Sequence, residues 1–261
     1  MLGIGIFQKK VEDFQLIQDL HSHTYYSFCG EDTPEKVVEA AIDGGVQLLG
    51  ITDHNHGIGN ATTQVFFHGN DNAKYDYERT LRRYFDHIDL IKEKYAGKIE
   101  ILRGIELCTK NLPRHYLPYN ADISYFDYCL IENIDEPDSV TKNDIFSYAE
   151  RLGTVCGIAH TDMFAYIRSR GEDAYAFFKR MADMGIFWEM NVNLDTIHGG
   201  REHKYMLEFF SNDEQQAIVR ESGVRLSVGF DGHRVYDYKP DRIANYCNKI
   251  SEMGIKLALE E

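Results

Sequence analysis

The stretch Asp19-Leu20-His21-Ser22-His23-Thr24 sets two histidines two residues apart at the end of an apolar run. In an extended backbone, residues i and i+2 point to the same side. Both imidazoles therefore converge on one point, and imidazole is the commonest metal ligand. The pair alone says little. Four later apolar runs end in the same kind of residue: His54, Glu106, His160, and then Asp231 with His233. Mixed imidazole and carboxylate donors suit Zn, Mn or Fe better than Ca or Mg. A pair of such ions can clamp the attacking and leaving oxygens of a displacement, and lowers the pKa of bound water towards ~7. The chemistry these residues point to is metal-assisted hydrolysis.

The elements that must hold these residues can be traced in order. Residues 16–20 read as a first strand. Thr33-Pro34-Glu35 opens a helix, with Thr as N-cap, Pro at the first helical position and an acid in the first turn, and Gly44-Gly45 closes it. Residues 46–52 (VQLLGIT) form a near-continuous apolar run, as a strand buried on both faces does. A polar loop is expected over 55–73, then a helix over 75–95 and a strand over 99–107. Strand four is expected at 126–131 and a helix at 141–152. Strand five follows at 154–159, a helix at 172–184 and strand six at 186–190. A helix from Lys204 to Glu221, broken near Ser211-Asn212, precedes strand seven at 225–230. A last helix covers 241–253. Repeated strand–helix alternation implies parallel strands joined by right-handed crossovers. Seven such units in 261 residues point to an α/β barrel rather than an open sheet. In such barrels the working face lies at the strand C-terminal ends, where the candidate ligands fall.

Composition narrows the partners. A net charge of −14 argues against a stable nucleic-acid groove or an anionic-membrane surface. It leaves an anionic substrate open, because bound cations reverse the local field. No apolar run is long enough to span a bilayer. The N-terminus lacks the apolar core of a signal peptide. Five cysteines without a CxxC pair, three of them (Cys108, Cys129, Cys156) in or beside strand-like runs, fit reduced thiols in a cytoplasmic protein. With five prolines and no low-complexity run, residues 1–261 read as one domain. Oligomeric state is not legible.

The segments DLHSHT, GITDHN, GIEL, GIAHTD and GFDGHR, in this order, resemble the PHP (polymerase and histidinol phosphatase) family over Asp19 to His233. That resemblance implies a distorted (β/α)7 TIM-like barrel and a metal-dependent phosphoesterase with two or three divalent ions at the barrel mouth. It implies His21 and His23 as ligands of a first metal, Glu106 as a bridge, and His54 and His160 at the further sites. Asp231 and His233 would close the cluster. Two stretches depart from the family pattern. Where the family often has a histidine or acid after HxHT, this chain has Ser27-Phe28-Cys29-Gly30-Glu31-Asp32, leaving Cys29 as a soft and Glu31 as a hard candidate ligand. Strand four ends in Glu132 rather than histidine. Two metals are therefore expected, with a third left open.

Further roles are assigned from residue type. Asp53 is expected to orient a histidine. Arg234, beside the last ligand, Arg201 and Arg168 are candidates to grip phosphate. His198 is a candidate to protonate a leaving alkoxide. His56, His68, His87, His115 and His203 read as ordinary polar residues. The expected function is hydrolysis of a small phosphorylated metabolite or nucleotide. The alternatives are a barrel metallohydrolase of C–N or C–O bonds, or a metal-binding regulatory domain without catalysis.

Overall fold

Short apolar runs, buried on both faces, build the centre of the molecule as seven parallel strands lying side by side in chain order. They are β1 (Gln18–Asp19), β2 (Leu48–Ile51), β3 (Glu100–Cys108), β4 (Tyr128–Glu132), β5 (Val155–Ile158), β6 (Phe187–Asn191) and β7 (Leu226–Gly229). The computed structural model describes residues 15–58, 69–111 and 122–260, and the side chains of residues 69–78 lie outside that description. The seam between β7 and β1 is joined by separate bonds. Leu20 N–H donates to Val228 O at 2.9 Å, Asp231 N–H to His21 O at 2.7 Å, and His23 N–H to Gly232 O at 2.8 Å. The sheet is thus a nearly closed, distorted (β/α)7 barrel.

Around it run α1 (Pro34–Asp43), α2 (Asn55–Ile58), α3 (Gly69–Lys94), α4 (Ile145–Leu152), α5 (Met163–Ser169), α6 (Ala174–Asp183), α7 (Lys204–Ser211), α8 (Asp213–Ser222) and α9 (Pro240–Glu252). Their ends follow local chemistry. Thr33 caps α1 by accepting from Lys36 N–H, with Pro34 in the first turn. Asp144 accepts from Ser147 N–H, so α4 begins at 145 rather than at 141. Asn212 takes the N–H groups of Glu214 and Gln215 at 3.1 Å, which splits the 204–221 pattern into α7 and α8. Two expectations are corrected. The segment after β2 is not loop throughout: it opens with the turn of α2, and α3 starts at Gly69, while residues 59–68 lie outside the described residues. Helix α5, unforeseen in the sequence, is started by Asp162, which accepts from Ala165 N–H at 2.8 Å.

Inside the barrel, Leu20, Leu48, Tyr128, Leu130, Ala159 and Phe187 pack together, and the Tyr128 hydroxyl donates to Leu20 O at 2.6 Å. Outside it, residues such as Ile51, Ile88, Ile105, Phe178, Trp188 and Val228 form the larger core between sheet and helices. Each such side chain contributes about 1.5–3 kcal/mol on burial. The end where β1 and β7 begin is covered by residues 255–259: Ala258 N–H donates to Leu226 O at 2.8 Å, and Gln18 Nε2 donates to Ala258 O at 2.8 Å. Among the described residues no helix is long and apolar enough to cross a membrane. Cys108, Cys129, Cys156 and Cys247 are buried free thiols.

Candidate active site

The opposite end of the barrel is polar. His21 and His23 leave β1 side by side, both buried, with their Nε2 atoms 3.2 Å apart. Asp231, just beyond β7, places Oδ1 3.0 Å from His23 Nε2 and 3.6 Å from His21 Nε2. Glu106, near the end of β3, lies at the centre. Its Oε1 is 3.3 Å from His21 Nε2 and 3.2 Å from His160 Nε2; its Oε2 is 3.5 Å from His23 Nε2 and 2.7 Å from His54 Nδ1. Glu132, at the end of β4, faces the same point, 3.6 Å from His54 and 3.8 Å from His160. The rings of His54 and His233 flank His23, each with its centroid 4.6 Å away. The seven residues expected to hold metal are thus brought together, and Glu132 joins them.

The backbone is bent to achieve this. His160 and Asp231 have φ of 23° and 54°. The left-handed region costs a non-glycine residue about 1–3 kcal/mol and recurs at functional sites. Gly229 serves by lacking a side chain: a Cβ there would lie 2.1 Å from Glu189 Oε1 and 2.6 Å from His21 Cβ.

The donor set fits divalent cations. His54 Nδ1 and Glu106 Oε2 approach to 2.7 Å, yet neither atom has a hydrogen-bond partner among the described residues. A buried polar atom without a partner is costly; two aimed at one point are satisfied together by an ion. The electrostatics agree. Burial opposes charge on His21, but Glu189, Glu106 and Asp231 hold its pKa well above the usual imidazole value. Burial and the neighbouring His54 push His23 down to about 3, leaving a lone pair free to ligate. Burial would raise Glu106 and Asp231, but the surrounding imidazoles keep both carboxylates well below their ordinary range. Cys29 offers a sulfur ligand within 4.8 Å of ligand atoms on His23 and His54. Burial would raise its thiol, but hydrogen bonds with His233 and His54 bring it below the ordinary value.

Other expected residues sit elsewhere. Asp53 orients no imidazole directly. It accepts from Thr24 N–H and Oγ1 at 2.7 Å and from Ser27 N–H at 3.0 Å, and so braces the loop that carries His23. Burial pushes its carboxyl up to about 6, against those hydrogen bonds. Glu31 is turned to the rim, where it accepts from Arg234 Nε at 2.9 Å. Arg234 also donates to Thr196 Oγ1 at 3.2 Å, so it ties the loops after β1, β6 and β7. Arg201 is exposed in the loop after β6, and Arg168 is exposed on α5. His198, in that same β6 loop, points Nε2 towards Asp231 Oδ2 at 3.9 Å. His56 and His203 are nearer the centre than expected: their rings stack on His54 at 4.8 Å and on His160 at 6.1 Å. His68 and His115 lie outside the described residues.

Two carboxylates went unnoticed in the sequence. Glu189, inside β6, meets His21 Nδ1 at 2.7 Å and accepts from His160 N–H at 2.7 Å. Asp195 meets Nδ1 of both His198 and His233. The signal for Glu189 was a lone acid inside a buried strand, FWEMN; for Asp195 it was the alternation Asn191-x-Asn193-x-Asp195.

Comparison with known proteins accords with this geometry. No curated protein matches the sequence. Histidinol phosphate phosphatase of Lactococcus lactis, solved with Zn, L-histidinol and phosphate, superposes with a TM-score of 0.59 at 17% identity, over 92% of this chain and 95% of that one. A structure from work on metal-dependent tyrosine phosphatases of Bacillus subtilis and Streptococcus pneumoniae gives 0.48 at 15% identity, over 91% of this chain and 87% of that one. The family model for the PHP domain matches residues 19–187, more than half of the chain, and with β2 to β5 and the candidate ligands from His21 to His160 inside that match, this chain belongs to the PHP domain family, as a hydrolase of PHP type.

Proposed function

We propose that this protein is a metal-dependent phosphoesterase that hydrolyses a small phosphorylated metabolite or nucleotide. The observation that carries the reading is Glu106: a buried carboxylate within 3.5 Å of four imidazole nitrogens, one of its oxygens 2.7 Å from His54 Nδ1 yet in no aligned hydrogen bond. His21, His23 and Asp231 would hold one divalent ion, and Glu106, Glu132 and His160 another. Cys29 lies with His23 and His54, and that set would take a third. Bound Zn, Mn or Fe supplies Lewis acidity and lowers the pKa of bound water towards ~7.

The chain's own residues do the rest. Glu189 fixes the ring of His21, so that Nε2 faces the centre. Asp53 holds the His23 loop in register. Arg234 and Arg201 stand on the rim as the cationic partners for phosphate. His198 protonates the oxygen that leaves phosphorus. The same-fold Lactococcus lactis protein holds Zn, L-histidinol and phosphate, which supports a small phosphorylated substrate here. The free cysteines support a reducing, cytoplasmic setting.

The test is turnover of p-nitrophenyl phosphate and bis-p-nitrophenyl phosphate by protein stripped with chelator and reloaded with Zn or Mn. Hydrolysis restored by the metal supports the reading. Amide hydrolysis without phosphate release would favour another metallohydrolase, and bound metal with no turnover of any ester would favour a binding domain.

A further inference from the structure

After β6 the chain stays extended, and its alternate side chains turn to one side. Asn191 Nδ2 donates to Asp231 Oδ2 at 3.3 Å. Asn193 Nδ2 donates to Asp231 O at 2.8 Å, and Asn193 Oδ1 accepts from Asp195 N–H at 2.7 Å. This ladder sets Asp195 in place, 1% exposed, at the root of the loop. The two oxygens of Asp195 then take different partners. Oδ1 accepts from His198 N–H at 2.8 Å and lies 2.9 Å from His198 Nδ1. Oδ2 lies 3.3 Å from His233 Nδ1. A carboxylate offers only lone pairs, so each Nδ1 that meets it carries the hydrogen. Each Nε2 is thereby turned away from Asp195. That of His233 lies 3.7 Å from Asp231 Oδ1, and that of His198 lies 3.9 Å from Asp231 Oδ2. His233 is 5% exposed and His198 stands half open at the rim.

We propose that Asp195 is a positioning residue shared by two histidines of different role: it fixes His233 as a ligand and His198 as the donor to the leaving oxygen. A buried carboxylate that holds an imidazole in one tautomer and orientation is a recurrent device in both settings. The inference rests on the phosphoesterase reading for its His198 half only. In that half, water oxygen forms the new bond to phosphorus and gives up a proton to solvent. The bond from phosphorus to the leaving oxygen breaks, and its electron pair stays on that oxygen. The oxygen takes the proton from His198 Nε2, and solvent later returns a proton to the neutral ring. Joining both tasks to one side chain keeps the donor at a fixed offset from the metal cluster, because the loops after β6 and β7 cannot shift apart without breaking the bond from Asp195 to His233.

The experiment compares wild type, Asp195→Asn and His198→Ala on the whole purified chain. One readout is Zn retained against a competing chelator, measured by mass spectrometry. The other is the ratio of kcat for phenyl phosphate to kcat for p-nitrophenyl phosphate, since a poor leaving group needs the proton and a good one does not. For Asp195→Asn, Zn affinity is expected to fall about 10–100-fold and the kcat ratio to fall at least about tenfold. For His198→Ala the ratio is expected to fall alike while Zn is held as in wild type, and added imidazole should restore the phenyl phosphate rate. Asp195→Asn protein with wild-type Zn affinity, or with an unchanged kcat ratio, overturns the proposal. So does a lower Tm as its only change. Wild type that hydrolyses neither ester contradicts the phosphoesterase reading, and the Zn readout then decides the His233 half by itself.

Discussion

Strand β3 carries Arg103 and Glu106 on opposite faces, and they live in opposite conditions. Arg103 points outward and is fully matched: Nη2 and Nε meet the two oxygens of Asp127 at 2.6 and 3.0 Å, and Nη1 meets Asp89 at 2.8 Å. Glu106, three residues on, points into the mouth and is crowded by imidazoles, with Oε2 2.7 Å from His54 Nδ1 but in no aligned hydrogen bond. Both clusters are built from ordinary acids and bases. The first closes on itself, as a structural ion pair does. The second does not close with protein atoms alone, which marks a site built for something else. Unsatisfied burial, more than the presence of charge, separates function from scaffold here.

That contrast can be broken at either end. The largest effect is expected at the centre. Glu106→Gln keeps the shape but removes the charge, and metal-dependent phosphoester turnover should fall at least about 10³-fold, with metal lost by elemental analysis. Next, the double variant His21→Ala/His23→Ala should strip metal while far-UV circular dichroism and chromatographic radius stay those of the folded barrel, since the core lies between sheet and helices. Unchanged metal content there would sink the assignment of the pair. At Cys29 the effect is smaller and selective. Cys29→Ser should weaken Zn or Co more than Mn, and should remove the sulfur-to-cobalt absorption band of Co-loaded protein. Equal loss for all metals would deny the thiol a direct role.

The smallest effect belongs to the matched cluster. Asp127→Asn should cost about 2 kcal/mol of stability and leave metal content unaltered. Burial would raise Asp127, but Arg103 holds its carboxyl below the ordinary value. A carboxyl lowered by folding stabilises the fold above its unfolded pKa of about 4, and that gain disappears as pH falls through the folded value. The difference between wild type and Asp127→Asn in urea denaturation should therefore be full near neutral pH and shrink in acid. A difference that grew in acid would contradict the pairing.

Much of the fold was legible because parallel strands buried on both faces give near-continuous apolar runs, as in VQLLGIT, with ligands at their ends. The cap at Thr33 and the break at Ser211-Asn212 were equally local. What stayed hidden depends on distance along the chain. Glu31 is neutralised by Arg234, 203 residues away, so its type suggested a ligand that its position denies. Glu189 and Asp195 are defined by histidines on other strands, and nothing beside them in sequence announces those partners. Asp53 looked like a histidine's orienter because it adjoins His54, yet its oxygens are taken by the loop after β1. Helix α5 was missed because its seven residues are too few to show a period.

The most direct measurement is metal content and phosphoester turnover on one preparation, wild type beside Glu106→Gln, before and after chelation and reloading. The expected result is divalent metal bound by wild type, activity lost on chelation and regained with Zn or Mn, and neither in Glu106→Gln. Turnover that survives complete removal of metal, or full metal occupancy in Glu106→Gln, would contradict the central place given to this carboxylate.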